Sequence, residues 1–203
     1  MDTTQRVHIA GWCGVVGGSV WFIQSVLQWA GVINGDTPGT TTFVVTGVVA
    51  TLCLGLVLLS FLGLKWGGAF RGRFGSIVWG VAVLGYVLMI SGGVLTLFGV
   101  GPLTDPVTAV SLIYLLGRLI AVIFTLLTGI AVVQTRRWPH WTRFAPLLLG
   151  LWPIVGELLP VLVTGQQPNE LVTGAWGVCV ALVGMAMLAQ TGATRTSPAP
   201  AIG

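Results

Sequence analysis

The chain has 203 residues, of which 55% are hydrophobic and only 7% charged, with a mean hydropathy of +0.96. A soluble domain carries roughly a quarter charged residues, so a water-facing fold, a nucleic-acid binder and a disordered chain are excluded and a polytopic membrane protein remains. The net charge of +4 therefore bears on orientation, because Lys and Arg around membrane spans mark the cytoplasmic side.

A spanning helix needs about 20 mostly apolar residues. In chain order, residues 9–33, 43–64, 76–99, 109–133, 144–164 and 171–190 qualify. Runs of this length are not barrel strands, which alternate over about 10 residues. The first run is too long for a cleaved signal peptide, and no small-residue cleavage site follows it. The expected fold is all-α: one six-span transmembrane bundle over residues 1–190, followed by a disordered cytoplasmic tail over 191–203. That tail is rich in Thr, Ser, Pro and Ala and has no apolar face to bury. Cys13, Cys53 and Cys179 all fall in apolar runs, as packing residues do.

The connections carry the topology. Arg6 precedes the first span, Lys65, Arg71 and Arg73 lie between the second and third, Arg136, Arg137 and Arg143 between the fourth and fifth, and Arg195 after the sixth. The opposite loops hold Asp36, Asp105 and Glu170 and no Lys or Arg. The positive-inside rule places both termini in the cytoplasm, and the expected location is the bacterial inner membrane. Trp12, Trp66, Trp79, Trp138 and Trp141 fall near the basic ends and Trp29 near the other, as interfacial anchors do.

The chain also reads as three tandem helical hairpins. Lys65-Trp66 through Arg73-Phe74 and Arg137-Trp138 through Arg143-Phe144 share a basic-Trp opening and an Arg-Phe close. Duplication explains this, and so does the general need for turn residues and Arg in short inner loops. Small residues spaced four apart let helices approach in lipid. Gly14/Gly18 with Gly17, Ser76/Gly80 and Gly177/Ala181 are such sets.

Two ionisable residues fall inside spans, Arg118 and Glu157. Burying either alone is costly, so each is a candidate for function. Arg118 lies about 14 Å along its span and Glu157 about 10 Å from the same membrane face, at about 1.5 Å per residue. Consecutive helices are usually neighbours, so the two are expected to pair. Gln24 and Gln28, four apart on one helix face, with Ser91 and Tyr86, complete an expected polar cluster. Pro146, Pro153, Gly156 and Pro160 make the fifth span irregular around Glu157. Broken helices near the membrane centre line transporter sites, yet proline is tolerated wherever neighbours satisfy the freed carbonyls.

His8 and His140 fall at the cytoplasmic border, away from the membrane centre. No zinc-ligand spacing, P-loop or dinucleotide fingerprint is present. No catalytic residue, metal ligand or cofactor is assigned. The expected partners are the lipid bilayer and a small or hydrophobic solute, with no nucleic acid.

Trp21-Phe22-Ile23-Gln24, Phe61-Leu62-Gly63-Leu64-Lys65-Trp66-Gly67-Gly68, Arg143-Phe144-Ala145-Pro146-Leu147-Leu148 and Thr164-Gly165 with Pro168-Asn169 carry a resemblance to small polytopic membrane proteins of high-GC bacteria. The resemblance covers most of the chain. It implies a multi-pass membrane location and transfers no activity. Three roles follow from the residues. A dry interior favours a structural or accessory protein. A polar cavity open to the outside favours a small-solute or proton-coupled carrier using Arg118 and Glu157. A closed apolar cavity holding Glu157 favours an intramembrane enzyme acting on a lipid or isoprenoid.

Overall fold

The structure is a computed structural model that describes residues 2–33, 40–70, 72–98, 108–138, 140–166 and 168–195. The described residues are helical and form no strand. In order they are α1 (Thr3–Trp29), α2 (Thr41–Trp66), α3 (Gly72–Leu97), α4 (Ala109–Thr135), a 3-10 turn (His140–Phe144), α5 (Ala145–Trp152), a π-helical turn (Pro153–Leu158), α6 (Leu159–Thr164) and α7 (Glu170–Arg195). The 3-10 turn, α5, the π-turn and α6 run on as one fifth span, so six helical segments are long and apolar enough to cross a membrane.

Local chemistry sets the ends. The Thr40 hydroxyl accepts from the Phe43 N–H at 3.1 Å, and the Thr108 hydroxyl from the Ser111 N–H at 3.2 Å. Each cap satisfies one of the unpaired donors at a helix start. Gly31 and Gly165, both at positive φ, end α1 and α6, the left-handed termination that glycine adopts without strain.

The helices form a closed ring. Each span packs on its neighbours in sequence, and α7 closes the ring against α1 in the most extensive contact of all. Glycine explains this closeness. A Cβ on Gly177 would lie 2.5 Å from the Gly18 carbonyl oxygen, and one on Gly184 would lie 2.5 Å from that of Gly11. The backbones touch there, as small residues permit in lipid. The Gly14/Gly18 and Gly177/Ala181 sets thus meet each other, while Gly17 faces Cys53 and Leu56 of α2. The Ser76/Gly80 set does not pack: Ser76 is exposed and nothing lies near Gly80. Gly85 and Gly92 do that work instead, against Gly117, Ala121 and Tyr114 of α4. The outer surface is greasy, with Leu52, Leu115 and Leu162 more than 60% exposed. Such a surface suits hydrocarbon rather than water.

Several expected boundaries shift. The first span starts at Thr3 rather than residue 9, since a helix can continue through the interface on polar residues. It stops at Trp29 rather than residue 33, because Gly31 turns the chain. The third span runs Gly72–Leu97 rather than 76–99. The last helix runs to Arg195, through part of the expected tail; residues 196–203, like Asp36, Asp105 and Arg71, lie outside the described residues.

Two expected anchors are core. Trp138 is 2% exposed, and Trp79 is half-buried with its indole N–H on the Phe61 carbonyl at 3.0 Å and Lys65 Nζ 4.5 Å from its ring centre. The cause is that the two basic connections are tied together. The Thr135 hydroxyl donates to the Ala69 carbonyl at 2.8 Å and Arg137 to that of Gly68 at 3.1 Å. The two connections also differ in shape. One is an open turn after Trp66 and the other a 3-10 turn after a buried Trp138, so their sequence likeness is not matched by a common conformation.

Candidate intramembrane site

The Arg118 guanidinium donates to the Glu157 carboxylate, joining α4 to the π-turn of the fifth span. Both side chains reach this position through local irregularity. Pro153 opens the π-turn and Pro160 follows it. Neither supplies a backbone N–H, and each ring displaces a preceding carbonyl. The chain answers with a wider turn, in which the Leu159 N–H donates to the Ile154 carbonyl five residues back. Such turns rotate the following side chains out of α-helical register and recur at functional sites. Gly156 makes room for the Trp152 indole, which a Cβ would meet at 2.8 Å. That indole donates to the Val172 carbonyl at 3.0 Å and pins the broken span to α7. On the other side, Gly129 and Gly150 let α4 and α5 touch backbone to backbone.

The pair borders an internal cavity of about 90 Å³ between α1, α3, α4, α5, the π-turn and α7. Its walls mix aromatic and aliphatic side chains. Trp21 and Trp176 meet edge to face with ring centres 5.3 Å apart, joining α1 to α7. Tyr86 and Tyr114 form the opposite wall. The Tyr86 hydroxyl bonds the Thr125 hydroxyl at 3.2 Å, and its ring packs 5.5 Å from Phe61. Thr125 and Thr173 add hydroxyls, while Leu149 and Pro153 are apolar. The Trp21 indole N–H is buried and has no hydrogen-bond partner among the described residues.

The expected polar cluster divides. Arg118, Glu157 and Tyr86 share this cavity. Gln24 and Gln28 line a separate space of about 200 Å³ between α1, α2 and α3, with Thr46, Thr51 and Thr96. The Gln24 amide donates to the Thr46 carbonyl at 3.4 Å, and its oxygen is buried without a partner among the described residues. Trp21 and Tyr114 belong to both spaces and stand between them. Ser91 joins neither: it is exposed and donates to the Val87 carbonyl of its own helix at 2.9 Å. His8 stays outside as well, next to Trp12 and Thr191.

Trp21, Tyr114, Thr125, Thr173 and Trp176 are site residues that the sequence did not single out. Tryptophan in a membrane protein reads first as an anchor, and only tertiary packing separates an inward indole from an interfacial one. Position was a usable signal for Trp21, midway along its expected span, but not for Trp176, only the seventh residue of α7. Among the described residues, no three His, Cys, Asp or Glu side chains gather as metal ligands do. The chain matches no family model, no curated protein and no solved structure. Its six apolar helices are those of a multi-pass membrane protein.

Proposed function

We propose that the protein resides in the bacterial cytoplasmic membrane with both termini in the cytoplasm and binds a small ligand within the bilayer at the Arg118–Glu157 pair. The orientation rests on the basic residues, eight of nine of which lie in the four segments sharing one side. The binding role rests on one observation. The pair borders a cavity of about 90 Å³ rather than closed packing, and a single water needs only about 10–15 Å³ of such space. Aromatic and aliphatic walls with a few convergent polar groups are the usual make-up of a ligand pocket. A broken span beside the pair is the feature carriers use to line a site.

A purely structural lock between α4 and the fifth span is the competing reading, favoured by the direct bridge itself. An enzyme role has less support, because among the described residues no histidine borders the cavity and its hydroxyl groups have no neighbouring base other than the already paired Glu157. Native mass spectrometry of protein released from membranes separates binding from locking. A co-purifying small molecule is expected in the wild type and lost in Thr173→Phe, which fills the cavity without touching the pair. Identical bound species in both proteins, or none in either, would support the lock.

A further inference from the structure

Arg118 and Glu157 are not equivalent. The Glu157 side chain is 9% exposed and that of Arg118 44%. Arg118 stands at the edge of the face of α4 that carries Leu112, Leu115, Leu116 and Leu119, each more than half exposed. That face looks out of the ring, towards lipid. A groove of about 230 Å³ follows it, walled by Leu115, Leu119, Leu158 and Val161, with Pro168 at the end nearest the α6–α7 turn. Val122, Pro153 and the ion pair border both the groove and the internal cavity. The pair therefore stands between bilayer and cavity.

The depth matters. A helix of 27 residues spans about 40 Å, against a hydrocarbon layer of about 30 Å, which leaves Arg118 about 9 Å below the boundary. Glu157 holds the guanidinium there, so it cannot reach up to the headgroups. A guanidinium has five N–H donors, and hydrocarbon offers none of them an acceptor. The pair is neutral as a whole, so a second full negative charge would meet the Glu157 carboxylate, whereas a neutral oxygen would not. On the cavity side, the Tyr86 and Thr125 hydroxyls, bonded to each other at 3.2 Å, are the polar groups nearest such a head.

We propose that the groove between α4 and the fifth span admits a neutral, single-chain lipid whose head presents an acceptor oxygen to Arg118 and passes that head into the cavity. The proposal rests on the binding reading above and adds to it the ligand's class and its route. The chain lies against the groove leucines, and the head exchanges water and headgroup contacts for Arg118 and the cavity hydroxyls.

The test uses the full chain in phosphatidylcholine nanodiscs with a monoacylglycerol bearing a diazirine at the head end of its chain. A diazirine alkane without oxygen is the control. Adducts of the monoacylglycerol are expected to concentrate around Leu115, Leu119 and Leu158, above the level at the lipid-facing Leu52 and Leu59 of α2. Leu119→Trp and Val161→Trp fill the groove from its outer walls and leave the pair and the cavity intact. Each is expected to lower groove labelling about tenfold, the ratio that about 1.4 kcal/mol of lost affinity gives. Labelling equal to that on α2, equal to that by the alkane, or unchanged in both variants would overturn the proposal. If the co-purifying cavity molecule persists in such a case, the binding reading stands and the route alone falls. Groove labelling without any cavity molecule would overturn the delivery step and the binding reading together.

Discussion

The two halves of the bundle are packed to different standards. At the basic end Phe61, Leu64, Val132, Trp138 and Met187 are 2% exposed or less and fill the centre of the ring. Cross-ties between the two basic connections hold that end shut. Toward the other end the ring centre opens into the internal cavity and the neighbouring polar space. Close packing is the default in protein interiors, and voids forfeit dispersion contacts. A chain able to plug one half so completely had the means to plug the other. The open half is the half to which the proposed binding belongs, and the packed half is the frame beneath it.

The sharpest way to break this contrast is to remove mass from the frame. Trp138→Ala deletes a buried indole and is expected to destabilise by about 3–5 kcal/mol, read as a lower unfolding temperature in detergent. Thr173→Phe adds bulk that would overpack a filled core, but the cavity beside it has space, so it is expected to cost little. If the two substitutions were equally harmful, the halves would not differ.

The ion pair tests the boundary between the halves. Glu157→Gln leaves Arg118 without its counter-charge, and breaking a buried pair costs about 3–5 kcal/mol. Arg118→Met is expected to cost less, because a carboxyl can be neutralised by a proton and a guanidinium cannot. The double substitution should recover much of the lost stability, and thermal unfolding of the four proteins closes the cycle. Losses that simply add would show the two residues to be uncoupled.

Glycine substitutions sharpen the picture at the ring closure. Gly177→Val drives a side chain into the α1 backbone and is expected to cost about 1–3 kcal/mol as overpacking. Gly80→Ala, in open space, is expected to stabilise by up to about 1 kcal/mol through reduced freedom of the unfolded chain. Equal effects would mean that α1 and α7 are not held by backbone contact.

The smallest effect is expected at the cavity wall. Tyr86→Phe removes the hydroxyl bond to Thr125, worth about 0.5–1.5 kcal/mol net. A larger loss in ligand retention than in stability would assign the hydroxyl to binding rather than to packing.

The amino-acid sequence by itself determined the six spans, the sidedness of charge and the meeting of Arg118 with Glu157. The reason is that these depend on quantities written along one dimension. Apolar length must match the bilayer, and two opposite charges at one depth on consecutive helices have few other places to go. The irregular fifth span was legible too, since proline removes a backbone donor wherever it stands. Only the tertiary structure decided which of the nine tryptophans turn inward, that Gly85 and Gly92 rather than Ser76 and Gly80 face a neighbour, and that Ser91 looks away from the site. Those outcomes depend on the rotation of each helix about its own axis. In a span apolar on every side the sequence carries no amphipathic stripe to set that rotation. It is settled by which small residues let two backbones meet.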